Sequence, residues 1–295
     1  MIDSIDSTTR SVELTILLPA YNEEEAIGAT ILAIRELYPD VEILVVDDGS
    51  TDNTTKVAME AGANVWPHPH NIGNGAAIKT GLRCAKGEWV LMMDADGQHD
   101  PADIKRLLEY KDNYDMVVGA RSKGTKASLH RNLANWFYNW LASYVTKFRV
   151  KDLTSGFRLV NKERARKFIY LLPNAFSYPS TITMAYLRSG LSIKYVPIQA
   201  KARKGKSKIK IFQDGIRFFL IITRVATLFS PFRIFLPVSL LFFMSGFVYY
   251  LFTYFTQNRF TNMSALLLSS SIIIFMMGLV SEQISQMHYE RVKEE

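Results

Sequence analysis

Two uncharged apolar runs near the end of the chain, residues 234–255 and 263–281, constrain it more than any other feature. At ~1.5 Å of rise per helical residue, each run approaches the ~30 Å of a bilayer's hydrocarbon core. A core helix of such length in a soluble protein normally keeps a polar face, and neither run has one. The expectation is two transmembrane helices joined by residues 256–262 as a tight hairpin. Pro237 lies near the start of the first run, where a missing N–H costs little.

Two spans return the chain to the side it came from. Arg217, Arg224 and Arg233 precede the first run, Arg291 and Lys293 follow the second, and the joining segment carries only Arg259. This bias predicts that the N-terminal part and the tail are both cytoplasmic. Residues 1–13 lack an apolar stretch of signal-peptide length, so no cleaved leader is expected. The lone Cys84 excludes an intramolecular disulfide and reads as a small helix-packing residue. A net charge of +7 is concentrated at Lys201, Arg203, Lys204, Lys206, Lys208 and Lys210. Beside a membrane anchor such a run meets anionic headgroups or phosphorylated substrates, and no nucleic-acid motif accompanies it.

Before about Ser230 the composition is that of a soluble domain. Short β-branched runs at 14–18, 42–46, 89–93 and 116–119 alternate with helical patterns at 23–37, 53–60, 76–85 and 101–110. That rhythm predicts a parallel sheet covered by helices, with Asn22 and Glu25 as a capping box on the first helix. Residues 208–233 read as amphipathic helices at the membrane surface, with packing against the sheet as the alternative.

In open sheets of this kind ligands bind beyond the carboxyl ends of the strands. The polar motifs fall there: Pro19-Ala20-Tyr21-Asn22-Glu23, Asp47-Asp48-Gly49-Ser50 and Asp94-Ala95-Asp96-Gly97-Gln98-His99 each follow an apolar run. Two carboxylates two residues apart suit a hard divalent cation, Mg²⁺ or Mn²⁺, which keeps positions open for substrate phosphates. The paired Asp47 and Asp48 could accept hydrogen bonds from a base or ribose, or could simply form a capped turn. Gly73-Asn74-Gly75 could cradle a phosphate or make a tight turn; neither a Walker nor a dinucleotide fingerprint is present.

These three motifs resemble those of inverting family 2 glycosyltransferases, specifically the dolichol-phosphate mannose synthase and bacterial polyprenyl-phosphate glycosyltransferase group. Asp152-Leu153-Thr154-Ser155-Gly156-Phe157-Arg158 and the basic segment 203–208 resemble later motifs of that group, so the likeness spans roughly 14–210. It implies a GT-A, Rossmann-like, mostly parallel α/β domain over 1–207, interface helices over 208–233, a two-helix hairpin over 234–281 and a tail over 282–295.

By the same resemblance Pro19, Tyr21, Glu23, Val46 and Asp48 surround the nucleotide-sugar together with Asp94, Ala95 and Asp96, while Arg203 and Lys208 close over its phosphates. Asp94, Asp96 and Gln98 hold the metal. Arg121, Arg131 and Asn135 take the acceptor phosphate, Asn135 standing where the family carries serine. Asp96, Asp152 and Arg131 form the implied catalytic set, Asp152 as a base or an orienting group.

The implied reaction moves a hexose from GDP-mannose or a UDP-hexose onto dolichyl or undecaprenyl phosphate. A lipid phosphate is already anionic, so positioning and charge compensation outweigh proton transfer. Other acceptors and a non-catalytic nucleotide-sugar-binding membrane protein stay open as alternatives, as does a homo-oligomer. Two spans are too few for the channel of a processive synthase.

Overall fold

The computed structural model describes residues 13–121, 139–140, 142–144, 146–174, 177–199 and 230–294. The chain divides into two compact units, Met1–Ala142 with Phe148–Lys208, and Ser143–Lys147 with Ile209–Glu295.

In the first unit the β-branched runs become strands β1 (Leu14–Ala20), β2 (Glu42–Asp47), β3 (Asn64–Pro67), β4 (Trp89–Met92), β5 (Met116–Arg121), β6 (Arg158–Asn161) and β7 (Ile193–Ile198). Helices α1 (Ile27–Leu37), α2 (Thr54–Glu60), α3 (Asn74–Cys84), α4 (Asp103–Leu108), α5 (Lys162–Arg166) and α6 (Tyr178–Arg188) connect or follow them. The strands form one sheet in the order β3-β2-β1-β4-β6-β5-β7. Strands β1, β2 and β4 are buried along their whole length, as parallel strands covered on both faces must be. The core joins Ile16, Leu18, Val45, Leu91 and Phe157 to Ile27, Ile31 and Ile34 of α1.

The sheet is mostly parallel, as expected, with β6 running antiparallel to both β4 and β5. Two other sequence expectations are corrected. The short edge strand β3 follows α2 where no strand was expected; its exposed residues carry no burial pattern to reveal it. The capping box does not form: the residue before α1 is Ala26, without a side-chain cap, and its first turn closes on the Glu23 carbonyl, which accepts from Ala26 and Ile27 N–H at 3.0 and 2.9 Å. Asn22, at φ 55°, instead reaches the neighbouring loop, its Oδ1 accepting from Thr51 N–H at 2.8 Å.

The second unit contains α7 (Phe232–Gln257) and α8 (Asn262–Glu294). Segments Phe232–Gln257 and Asn262–Met287 are each 26 residues long and apolar enough to cross a membrane. Their packing inverts that of a water-soluble hairpin. Ser239, Thr253, Ser264 and Ser271 are buried, while Leu241, Phe255 and Ile272 are exposed. A Cβ on Gly246 would come within 2.9 Å of the Leu267 side chain, so glycine permits the helices to approach.

Pro237 lies inside α7 rather than in its first turn. A proline there leaves the carbonyl of Arg233, four residues back, without its helical donor. The Tyr144 hydroxyl donates to that carbonyl at 3.3 Å, and Glu282 Oε2 accepts from the Phe232 N–H at 3.2 Å. Asn258 ends α7 in the left-handed conformation, at φ 50°.

Candidate functional site

The register places the carboxyl ends of β1, β2, β4 and β5 along one edge of the sheet, and the reversed β6 starts there. All three motifs expected after strands therefore meet on that edge, and the antiparallel strand adds residues 152–157 to them.

At one end of the edge, the loops after β1 and β2 are hydrogen-bonded to each other. Asn22 N–H donates to Ser50 Oγ at 2.9 Å and Glu23 N–H to Thr54 Oγ1 at 2.9 Å. This arrangement leaves the Tyr21 ring exposed. Pro19 and Val46 pair within the ladder and are buried, so their side chains serve the sheet.

Both aspartates at the end of β2, Asp47 within it and Asp48 just after, are buried and occupied. Asp47 Oδ1 accepts from Ser50 N–H and Oγ at 2.9 and 2.5 Å, and its Oδ2 accepts from the Thr55 hydroxyl. Asp48 accepts from the N–H groups of Ile72 at 3.1 Å and Gly73 at 2.7 Å, and lies 2.8 Å from His68 Nδ1. Thr80 Oγ1 is 2.9 Å from the other ring nitrogen. Asp48 thus ties the Gly73-Asn74-Gly75 turn to β2. The N–H of Ala76, in the first turn of α3, donates to the Asn174 carbonyl at 2.8 Å. With the Gly73 and Ala76 donors engaged, the segment is held as a tight turn at the start of α3.

Next along the edge, Asp94 and Asp96 follow β4. The Asp94 side chain is 39% exposed and faces His99, whose Nε2 lies 3.7 Å from its Oδ2. Asp96 Oδ1 accepts from the Gln98 backbone N–H at 3.2 Å. Ala95 between them is buried, while Asp94 and Asp96, in the turn that follows β4, are each partly exposed. A Cβ on Gly156 would fall 2.7 Å from Asp94 Oδ2, so only glycine lets this loop pass beside the carboxylate.

Among the described residues no three His, Cys, Asp or Glu side chains gather into a complete metal cage. Two hard oxygen donors with open positions are nevertheless the set that a Mg²⁺- or Mn²⁺-bound diphosphate needs, because phosphate oxygens and water complete the shell. The residues present fit such a group.

At the other end, Arg121 closes β5 and grips Asp152. Its Nε donates to Oδ2 at 2.9 Å and its Nη2 to Oδ1 at 3.1 Å. Thr154 and Ser155 N–H groups donate to Oδ1, each at 3.1 Å. Burial works against the ionised form of Asp152, but the guanidinium and these N–H donors outweigh it and hold the carboxyl below its ordinary value. Hydrogen bonding to Asp152 raises the Arg121 value in turn.

Arg158 and His99 sit inside quoted motifs, yet the sequence assigns them no role. Arg158 is fully buried. It donates through Nε and Nη2 to the Ser155 carbonyl at 2.9 and 2.7 Å, and through Nη1 to the Pro179 carbonyl and Thr183 Oγ1 at 2.8 and 3.0 Å. Its signal in sequence is a charge between Phe157 and Leu159 in an apolar run. Ser155 is consequently clamped on both sides, its N–H by Asp152 and its carbonyl by Arg158. Arg131, Asn135, Arg203 and Lys208, expected at the acceptor and donor phosphates, lie outside the described residues.

Residues 15–168 match the family described as Glycosyl transferase family 2, and 230–287 match the GtrB C-terminal hairpin. The chain is 33% identical over 198 residues to an uncharacterized protein of Methanocaldococcus jannaschii, covering 63% of this chain and 81% of that one. It is 30% identical over 208 residues to an undecaprenyl-phosphate mannosyltransferase of Micrococcus luteus, covering 65% and 86%. An undecaprenyl-phosphate 4-deoxy-4-formamido-L-arabinose transferase of Pectobacterium carotovorum is 28% identical over 84% of this chain and 76% of its own. Among solved structures, glucosyl-3-phosphoglycerate synthase from Mycobacterium tuberculosis shares the fold, with TM-score 0.59 and 21% identity over 72% of this chain and 79% of that one. The family match begins inside β1 and continues past α5, enclosing Pro19 through Asp152; the chain belongs to glycosyl transferase family 2.

Proposed function

We propose that this enzyme transfers a hexose from a nucleotide-sugar, GDP-mannose or a UDP-hexose, to a polyprenyl phosphate such as dolichyl or undecaprenyl phosphate, with inversion at the anomeric carbon. The observation that carries this reading is the joining of two features in one chain. The paired carboxylates Asp94 and Asp96 share a sheet edge with the Arg121–Asp152 pair, and an apolar hairpin follows. Relatives named for undecaprenyl-phosphate acceptors support the lipid class.

In this mechanism an acceptor phosphate oxygen attacks the anomeric carbon as the bond from that carbon to the diphosphate breaks. The nucleoside diphosphate leaves with the electron pair, and no proton has to move. Asp94 and Asp96, with Gln98 beside them, would hold a divalent cation, which when bound would supply charge compensation to the departing diphosphate. Asp152, whose carboxyl Arg121 and two N–H groups hold below its ordinary value, is a weak base there and serves to orient Arg121. Tyr21, exposed at the end of β1, offers a face to the nucleoside.

Labelled donor and polyprenyl phosphate, incubated with enzyme in detergent or nanodiscs, should give a single lipid-phosphate sugar. Release of free sugar without lipid product would overturn the acceptor assignment. The hairpin serves local concentration, and the charge bias puts the catalytic domain on the cytoplasmic side. A chain ending at Ser230 is therefore expected to bind nucleotide as the full chain does, yet to glycosylate membrane-embedded acceptor much more slowly. Equal rates would show that the hairpin is dispensable.

Two anions must approach each other, so each requires its own countercharge. Arg131→Ala should raise the KM for lipid phosphate or cut kcat while leaving donor affinity nearly intact, whereas Lys208→Ala, like Arg203→Ala, should weaken the donor. Calorimetry for donor and radiolabel transfer for acceptor separate the two; equal losses in both would defeat the assignment.

A further inference from the structure

Asp94 is held between two neighbours that the reaction as described does not use. On one side Gly156 approaches so closely that any side chain would displace the carboxylate. On the other lies His99, 93% buried by its 7% exposure and stacked on Phe157 at 5.0 Å between ring centroids, 16° from parallel. The stack fixes the plane of the imidazole, and the ring can reach Asp94 only through Nε2, at 3.7 Å from Oδ2.

The other nitrogen, Nδ1, is buried with no hydrogen-bond partner. A buried N–H without an acceptor is costlier than an unfilled lone pair, which assigns the proton of the neutral ring to Nε2. That N–H faces a carboxylate oxygen. The separation exceeds hydrogen-bond length, as such contacts often do before a ligand draws a site together.

We propose that His99 is a positioning residue for Asp94, its Nε2–H and the flat Gly156 backbone together aiming the carboxylate at the metal-bound diphosphate of the donor. This inference rests on the donor reading above. An orienting partner behind a metal-site ligand changes metal affinity by about 10- to 100-fold when removed.

The test measures affinity rather than turnover. Full-length protein in nanodiscs is titrated with UDP and with GDP, each with Mn²⁺ and with EDTA, and free Mn²⁺ is followed by electron paramagnetic resonance. His99→Phe keeps the stacked ring but loses the donor; His99→Gln keeps an N–H of similar reach. The expected result is a loss of about 10-fold or more in Mn²⁺-dependent nucleotide affinity for His99→Phe. His99→Gln should stay within about threefold of wild type, and all variants should show equal affinity in EDTA. Gly156→Ala, which pushes Asp94 away, should also lower Mn²⁺-dependent affinity; if His99→Phe fails to fold, His99→Leu, which likewise lacks the N–H, takes its place and should show the same loss.

Wild-type affinity in His99→Phe, or an equal loss in folded His99→Gln, overturns the role of the N–H. If wild-type affinity for both nucleotides ignores Mn²⁺, the donor reading itself fails, and His99 with it.

Discussion

Asp96→Asn is expected to reduce hexose transfer by about 100- to 1,000-fold, the cost of removing one preorganised electrostatic contact at a charge-developing group. The change preserves volume and alters a half-buried side chain outside the core cluster, so stability should shift by no more than about 0.5 kcal/mol. Wild-type enzyme in EDTA should fall to a similarly low rate and recover on adding Mg²⁺ or Mn²⁺, whereas Asp96→Asn should not recover. The comparison needs product formation with and without chelator and a melting curve for each protein. Full turnover of the wild type in EDTA would remove the cation from the reaction.

The other large effect belongs to Asp152. Asp152→Ala would leave the Arg121 guanidinium and the N–H groups of Thr154 and Ser155 without their acceptor. Breaking such a pair costs about 3 kcal/mol, the lower end of the buried range because Arg121 is partly solvated. That corresponds to a melting temperature lower by roughly 6–12 °C for a domain of this size. Asp152→Asn retains an acceptor oxygen and should unfold at a smaller deficit, yet lose most of its activity, because a neutral amide no longer fixes Arg121 as a charged pair.

The pH dependence follows the same contact. The folded Asp152 carboxyl lies below its unfolded value, so its stabilisation is complete above the ordinary carboxylate range and disappears as the pH falls through the lower folded value. Wild type should therefore lose stability on acidification more steeply than Asp152→Asn. Parallel melting-temperature curves between neutral and strongly acidic pH would refute the linkage.

How the site is assembled shows which physical signals act locally. The Asp94 and Asp96 carboxylates were legible because two acids just after an apolar run fall at the carboxyl end of a strand, where ligands of such sheets bind. The hairpin was legible because a span has to be apolar on every side, a property of composition that no tertiary partner is needed to create. Pro19, Tyr21 and the paired aspartates could be placed at the edge for the reason that βα rhythm implies parallel strands.

What the aspartates at the end of β2 do was decided by the fold. In sequence Asp48 is a free acceptor, but the crossing of the 68–73 loop brings His68 and two N–H donors onto it. Asn22 is a plausible helix cap locally, yet the Thr51 N–H of the next loop competes for its oxygen and wins. The reversal of β6 likewise has no local signature, since antiparallel and parallel strands share the same alternation. That reversal carries Asp152 to Arg121 across 31 residues, seats Gly156 beside Asp94 and buries Arg158 beneath both. By itself the sequence determined which groups carry charge and which segments must avoid water, because those are properties of single residues and short periods. Only the tertiary structure decided which charges meet, because a hydrogen bond between distant residues depends on strand order, and strand order follows from the packing of the whole sheet.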